Sequence, residues 1–240
     1  MTNSKLDDFI QNNYQRNAIN WVVVTYGVLS AILGIEHGLF EILQGNNTPT
    51  VAPLGLEVDS FGFGFIIDAI GPNQKYWLGA SEPAFTLIPN FLITGIITII
   101  IGLIIIFWSV RLIDKKFGAR VSFFLCITLF LTGGGSPPLT FGIISSIVAT
   151  RINKPLSWWR THLSVTWQHN LLRLWPWSLI STVLVSLLGT EMAIFGFPFS
   201  LFLDINTFTV LLLCVGQLSM ILAVFTIITA LAYDIQQKSI

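Results

Sequence analysis

Long apolar runs, separated by polar breaks, dominate this chain between residues 18 and 233. The first run covers residues 18 to about 43, and a second, residues 84–110, contains no charged residue. A helix rises about 1.5 Å per residue, so about 20 apolar residues cross the roughly 30 Å hydrocarbon core of a bilayer. Both runs therefore predict membrane-spanning helices.

Residues 121–150 form another uncharged run, but a cluster of glycine and proline interrupts it. Gly and Pro disturb a helix interior, because Gly costs conformational entropy and Pro lacks a backbone donor and clashes with the preceding turn. Two interpretations are open: one kinked span, or two short helices, about 117–132 and 139–152, joined by a tight turn. The interrupting residues are Gly133, Gly134, Gly135, Ser136, Pro137 and Pro138.

The distribution of Lys and Arg decides between these interpretations, because short loops rich in positive charge stay on the cytoplasmic side. With a hairpin, every Lys and Arg except Lys75 falls on the cytoplasmic side. A single kinked span would instead export the positive charges of residues 151–173. The sequence therefore predicts a hairpin. Its helices are shorter than a usual span, so full crossing and a re-entrant pair are both open.

Two further apolar runs, about 176–203 and 207–233, predict the last two spans. Residues 157–175 carry four tryptophans beside a polar stripe, which is typical of a helix lying at the headgroup level. The predicted fold is an all-α, polytopic transmembrane bundle of about six apolar helices, two of them short, plus one cytoplasmic amphipathic interfacial helix. Residues 1–240 form a single integral membrane domain in the cell membrane, with both termini cytoplasmic.

The loop between the first two spans, residues 45 to about 82, is rich in Gly, Pro and Asp. Within it, residues 61–67 alternate Phe with Gly before two Ile residues. This segment is too short to cross a bilayer, so it is expected to dip into the headgroup layer or to plug the bundle.

The composition supports a membrane protein and excludes several other classes. Hydrophobic residues make up 53% of the chain and charged residues 10%, and the mean hydropathy is +0.76. Twelve Lys and Arg balance twelve Asp and Glu, so no basic surface indicates a nucleic-acid partner. The expected partners are membrane lipids, together with other membrane subunits or a second copy of the chain.

Four ionisable residues lie inside the predicted spans, where a charge is expensive and therefore points to function. They are Glu36, His37, Glu41 and Glu191. Counted along their helices, Glu36 and Glu191 reach a similar depth in the outer half of the bilayer, which predicts one shared site. His37 and Glu41 share a helix face because they are four residues apart.

Three functional interpretations of these residues follow, and one without function. The cluster could relay protons or bind a cation; His37 and Glu41 could hold a metal with Glu82 or Glu191; or one group could act as a general base. Alternatively, Glu36 and Glu41 approach the outer water interface and His37 satisfies a local partner. A lone His-x-x-x-Glu is weak evidence for a metal, so neither a metal nor a cofactor is predicted.

The sequence favours a small permease-like or ligand-binding membrane protein with a polar site in the outer half of the bundle. A non-catalytic accessory or assembly subunit of a larger membrane complex is the first alternative, and an intramembrane enzyme is the second. No nucleophile elbow, zinc-protease, Cys-x-x-Cys or dinucleotide-binding motif supports an enzyme. The substrate and the oligomeric state do not follow from the sequence.

Overall fold

The computed structural model describes residues 17–46, 66–70, 82–152, 154, 156–162, 171–196 and 202–237. Four long apolar helices and two shorter ones form a bundle, which confirms the predicted helical membrane architecture. In chain order the elements are α1 (Ala18–Gln44), β1 (Ile66–Ile70), β2 (Glu82–Thr86), α2 (Phe91–Arg111), α3 (Gly118–Leu131), α4 (Ser136–Ala149), α5 (Ser157–His162), α6 (Trp175–Phe195) and α7 (Ile205–Gln237).

Helix α1 lies at the centre of the bundle, and its different faces contribute to three apolar clusters. Near its start, Ile19 and Val23 pack with residues of α4 and α7. Tyr26 and Leu33 pack with Phe141 of α4 and with small residues of α7. Ala31 packs on a third side against α2 and α3. A helix that is apolar on every side is best accommodated when other helices surround it.

Helices α1 and α2 cross closely at a pair of glycines. A Cβ atom on Gly38 would stand 2.8 Å from the carbonyl oxygen of Gly95, and one on Gly95 would stand 2.5 Å from the carbonyl oxygen of Gly38. Small residues of this kind let helix backbones approach each other, which is how membrane helices gain packing contacts without help from water. The crossing therefore places Gly38 at the level of Gly95, one turn into α2.

The predicted hairpin is confirmed as α3 and α4, each of 14 residues. The prediction started the second helix at residue 139, but α4 begins at Ser136. Pro137 and Pro138 lie in its first turn, where a missing N–H costs nothing because it would have no helical partner. Residues 132–135, which join the two helices, are called the tip below.

The depth of the tip follows from the contacts that α3 makes along α2. At one end, Trp108 Nε1 donates to the Gly118 carbonyl at 3.0 Å. At the other end, Thr94 donates to the Thr132 carbonyl at 2.5 Å. The hairpin thus follows α2 over the residues between Thr94 and Trp108, roughly 21 Å at about 1.5 Å per residue, and ends about one turn short of Phe91.

A short antiparallel ribbon of β1 and β2 was not predicted. Ile66 pairs with Thr86 and Ile70 with Glu82. Strand β1 lies in the segment that was interpreted as a loop, whereas β2 includes residues 84–86 of the predicted second span, whose helix begins only at Phe91. Residues 61–65, expected to dip or plug, lie outside the described residues. An isolated two-stranded ribbon is marginally stable by itself, so its stability depends on contacts with the tip, which a local sequence pattern does not reveal.

Helices α6 and α7 are joined by three pairs of buried hydroxyl groups. Their oxygen–oxygen distances are 2.9, 3.0 and 2.6 Å. Hydrogen bonds of this kind hold helices together in an apolar surrounding. The pairs are Ser178 with Thr229, Thr182 with Thr226, and Ser186 with Ser219.

Aspartates cap two of the long helices. The Asp234 carboxylate accepts from the backbone N–H groups of Ala18 and Ile19, at 2.7 and 3.2 Å, so the end of α7 is fastened to the start of α1. Asp204 precedes α7 and accepts from the Thr207 hydroxyl and backbone N–H. These hydrogen bonds, with that of the Thr207 hydroxyl foremost, lower the pKa of Asp204.

Only the start of the predicted interfacial helix can be compared with the structure. Helix α5 covers Ser157–His162, and residues 171–172 are helical as well. Residues 163–170, which carry most of the predicted polar stripe, lie outside the described residues. The amphipathic character of residues 157–175 therefore stays a prediction.

The α1–α2 crossing predicts a position-specific effect of adding a methyl group. Gly95→Ala should lower the free energy of unfolding by about 1–3 kcal/mol, because the new Cβ collides with backbone atoms that cannot move aside. The measurement is unfolding of the purified protein in mixed micelles, followed by circular dichroism.

Gly216→Ala in α7 is the matched control, since a Cβ atom there meets nothing within 4 Å. It should be neutral, or gain up to about 1 kcal/mol from better helix propensity. Equal effects of the two substitutions would mean that the helices do not cross at Gly38 and Gly95.

Candidate functional site

The tip is a turn that only glycine accommodates well. Gly133 has a φ of 101° and Gly135 a φ of 77°, a region that other L-residues enter only at a cost of about 1–2 kcal/mol. Both glycines are buried. Consequently the chain reverses direction inside the bundle at residues that have no side chains. Side chains of other elements can therefore lie directly against the backbone of the tip.

His37 and Glu41 of α1 occupy the space that side chains on the tip would need. A Cβ atom on Gly135 would stand 2.5 Å from His37 Nε2, and one on Gly133 would collide with the Glu41 carboxylate. Both ionisable side chains are only 1% exposed. The tip and the first helix therefore fit together, with an imidazole and a carboxyl group enclosed between them.

Threonines of α2 hold the tip in place. The Thr132 carbonyl accepts from Thr94 at 2.5 Å and also from the Thr98 hydroxyl, and Thr94 is linked at 2.7 Å to Thr86 in β2. All four threonines are buried. Because a helix ending in an apolar region leaves carbonyl groups without helical partners, these hydroxyls satisfy the end of α3.

Strand β2 lies against the other side of the tip. The Gly133 N–H donates to the Phe85 carbonyl at 2.8 Å, and the Leu87 N–H donates to the Leu131 carbonyl at 2.9 Å. The rings of Phe85 and Phe130 stack with centroids 5.4 Å apart. The tip is thus enclosed between α1 on one side and the strand on the other.

The structure divides the four predicted site residues into two groups. His37 and Glu41 face the tip, whereas Glu36 is half-buried and Glu191 exposed. The Phe40 and Phe195 rings pack at 6.1 Å, which joins the ends of α1 and α6. Glu36 and Glu191 lie one helical turn before these two rings and on the same faces, so both carboxylates follow the seam between α1 and α6.

The predicted similar depth of Glu36 and Glu191 agrees with this seam. His37 follows Glu36 by one residue, a rotation of about 100° around α1, and its ring lies against Gly135 of the tip. The closer juxtaposition of Glu191 with His37 stays a prediction.

A cavity of about 410 Å³ adjoins the tip between α4, α6 and α7, a size within the usual range of ligand sites. The described residues that line it are mainly apolar, with five hydroxyl groups and no charged side chain among them. Ser136, at its edge, directly follows Gly135, so the His37 ring and the cavity lie on neighbouring residues of the tip. The hydroxyl-bearing residues are Ser136, Thr140, Ser186, Thr190 and Ser219.

The chemistry available here is proton transfer and ligand binding. An imidazole changes its charge near neutral pH, and a carboxylate accepts hydrogen bonds or a cation. Among the residues described, no three His, Cys, Asp or Glu side chains lie close enough together to hold a metal ion. The enclosed pair, the acidic seam and the neighbouring cavity are therefore the parts from which a function can be built.

Sequence reasoning missed the threonines that hold the tip. Thr94 and Thr98 were visible as the polar pair, four residues apart, in a helix otherwise made largely of Ile, Leu and Gly. Such a pair marks one helix face. What could not be deduced was its partner, because the Thr132 carbonyl becomes available only when the hairpin turns at that depth.

Comparison of the chain with family models, curated proteins and solved structures finds no match. The function must therefore be argued from the geometry of this site.

The fit between tip and α1 predicts a specific coupling. Gly135→Ala and Gly45→Ala both place Ala at a positive φ, but a Cβ atom at Gly45 meets nothing within 4 Å. Each should lose about 1–2 kcal/mol of stability from backbone strain. Gly135→Ala should lose roughly 1–3 kcal/mol more, because its methyl group collides with the His37 ring.

In a His37→Ala background the additional loss at residue 135 should vanish, while the loss at residue 45 should persist. The measurement is a double-mutant cycle of unfolding free energies. If Gly135→Ala costs the same with and without the His37 ring, the tip does not rest on that side chain.

Proposed function

We propose that this protein is a small permease-like membrane protein that takes up a proton or a small cation in the outer half of its bundle. The binding residues are Glu36, His37, Glu41 and Glu191. His37 and Glu41 form the enclosed part of the site, and the two carboxylates on the α1–α6 seam form its entrance. Both an imidazole and a carboxyl group can accept and donate a proton, and the structure encloses one of each against the tip.

The observation that carries this proposal is the burial of His37 and Glu41 against the glycines of the tip. A charged group at the centre of a membrane helix costs about 2.5–3.5 kcal/mol on insertion scales, so two such groups in one turn are a substantial liability. Packing alone would be served by apolar residues. Broken helices that end beside ionisable groups at membrane depth are also how many transporters build their sites.

The seam supports the assignment of an entrance. Glu36 is half-buried and Glu191 exposed, at the end of the bundle where α1 and α6 finish. Two carboxylates at one level raise the local concentration of cations. A cation or proton that reaches this seam is one residue along α1 from His37, and one turn of helix separates His37 from Glu41.

An accessory subunit remains the second candidate, because α7 is poorly covered by the rest of the chain. Only 17% of its most apolar 18-residue window is buried, and large apolar residues such as Val210, Leu213 and Ile221 are exposed. A subunit of this kind would migrate with a larger assembly when solubilised gently from its native membrane. A permease would migrate as a monomer or a homo-oligomer of the 26.7 kDa chain.

The proposed orientation places both termini in the cytoplasm and the tip toward the outside, in the cell membrane. Lys115 between α2 and α3, and Phe202 between α6 and α7, are exposed at opposite ends of the bundle. In a chain lacking Cys126 and Cys214, Phe202→Cys should react with an impermeant maleimide on intact cells. Lys115→Cys should react only after permeabilisation. The reverse pattern would invert the orientation, and labelling of both from one side would contradict the topology.

Transport is tested with purified protein in liposomes that contain a pH-sensitive dye, under an imposed potassium diffusion potential. Vesicles that contain the protein should take up protons faster than protein-free vesicles. Glu41→Gln and His37→Gln should reduce that flux by about a hundredfold, the usual scale for losing a proton-transfer group. Glu36→Gln and Glu191→Gln should have smaller effects, because they act at the entrance.

Asp204→Asn is the matched control, since this carboxylate is exposed and lies outside the site. Its flux should equal that of the unaltered protein, and circular dichroism should show that every variant keeps its helical content. The proposal fails if the unaltered protein passes no protons and if neither Na⁺, K⁺ nor ammonium stabilises it in a manner that depends on Glu41.

A further inference from the structure

A groove lies between α3 and α4 at the end of the bundle opposite the tip. It has a volume of about 220 Å³ and lies between the first turns of α3 and the last turn of α4. Its walls include Phe123, Phe124 and Ile147, and among the described residues Arg120 is the one charged residue that lines it. Phe124 is 67% exposed and Ile147 61% exposed, so apolar side chains border the groove on both helices.

A concentration of positive charge lies directly beside the groove. The Lys116 ammonium and the Arg120 guanidinium stand 5.4 and 5.9 Å from the centroid of the Phe117 ring, within the range of cation–π attraction. One exposed aromatic ring therefore holds two cations at the groove end. Arg111 and Lys115 add two more exposed cations in the same connection between α2 and α3.

The described residues neutralise little of this charge. Asp114 pairs with Lys115 at 3.9 Å. Among the described residues, no carboxylate pairs with Arg120. Arg120 therefore stands at the edge of an apolar groove with no carboxylate partner among the described residues.

We propose that this groove binds one anionic phospholipid, with an acyl chain between α3 and α4 and the phosphate on Arg120. The apolar groove matches the acyl chain of such a lipid, and the guanidinium of Arg120 matches its phosphate. A soluble anion would leave Phe124 and Ile147 uncovered, and an uncharged lipid would leave Arg120 without its partner. Guanidinium suits this role because its planar donors match phosphate oxygens in pairs.

The site differs from general attraction between a basic loop and an acidic membrane surface. Diffuse attraction depends on the number of positive charges near the membrane, so removing either arginine would weaken it equally. A built site depends on Arg120 more than on Arg111, which does not line the groove. Binding in a built site also depends on the free volume beside Ile147, whereas attraction to a charged surface does not depend on that volume.

The inference is independent of the proposed transport function. The groove lies at the opposite end of the hairpin from His37 and Glu41, and none of its lining residues belongs to α1. A protein that carries no protons could still hold this lipid.

The test is native mass spectrometry of the full-length protein in detergent, titrated with phosphatidylglycerol or phosphatidylcholine. The first phosphatidylglycerol should bind more tightly than the first phosphatidylcholine. Arg120→Gln should weaken it by about fivefold, the equivalent of one basic side chain near a membrane surface. Ile147→Trp, which fills the groove, should weaken it at least as much and leave the positive charge intact.

Two matched variants serve as controls. Arg111→Gln removes an exposed cation outside the groove, and Leu184→Trp enlarges a side chain on α6 that is also 61% exposed. Both should bind phosphatidylglycerol like the unaltered protein. If Arg120→Gln does not fold, Ile147→Trp against Leu184→Trp still decides the question.

Three results would overturn the proposal. Equal losses for Arg120→Gln and Arg111→Gln would reduce the effect to diffuse attraction. Equal affinity for phosphatidylglycerol and phosphatidylcholine would show that the net negative charge of the lipid does not contribute to binding. Competition by inorganic phosphate alone, with Ile147→Trp binding normally, would show an anion site that does not use the groove.

Discussion

Enclosing an imidazole and a carboxyl group within an apolar bundle constrains the rest of this fold. His37 and Glu41 are tolerable at membrane depth only where protein surrounds them and polar groups lie near. That requirement places α1 centrally, with the face that carries His37 and Glu41 turned toward the rest of the protein. It also explains why a polar backbone turn, and not a lipid-facing helix surface, meets these two side chains.

The hairpin of α3 and α4 follows from the same constraint. Its helices are too short to follow α2 along its whole length, and the chain must turn inside the bundle, where backbone groups need partners. The α2 threonines and strand β2 provide those partners. Glycines at the tip leave room for the α1 side chains, so the length of the hairpin and the position of the buried pair are linked.

Much of the architecture could be predicted from the sequence because apolar run length and charge placement act over long stretches. The hairpin is the best example: its glycines and prolines marked the turn, and the Lys and Arg residues required it. The start of α4 was missed because Pro137 and Pro138 were interpreted as helix breakers, although proline is well tolerated in a first turn. The β1–β2 ribbon was missed because its stability comes from contacts distant in sequence.

The candidate site was predictable in its residues but not in its arrangement. Depth along a helix can be counted, so the similar level of Glu36 and Glu191 was accessible. The direction of a side chain around the helix depends on which neighbour lies there, and no pattern in α1 identified the tip as the neighbour of His37. Packing between elements therefore decides how the four residues are grouped.

The most direct test of this account is whether the tip lies against α2 at the level of Thr98. The hydroxyl oxygens of Thr98 and Thr132 are 3.3 Å apart, so the two Cβ atoms direct their substituents toward each other, as a disulfide between cysteines at these positions requires. In a chain without Cys126 and Cys214, Thr98→Cys with Thr132→Cys should cross-link almost completely under mild oxidation. Thr98→Cys with Thr140→Cys, whose second residue faces the cavity on α4, should not. Failure of the first pair to cross-link in a protein of normal helical content would contradict the account.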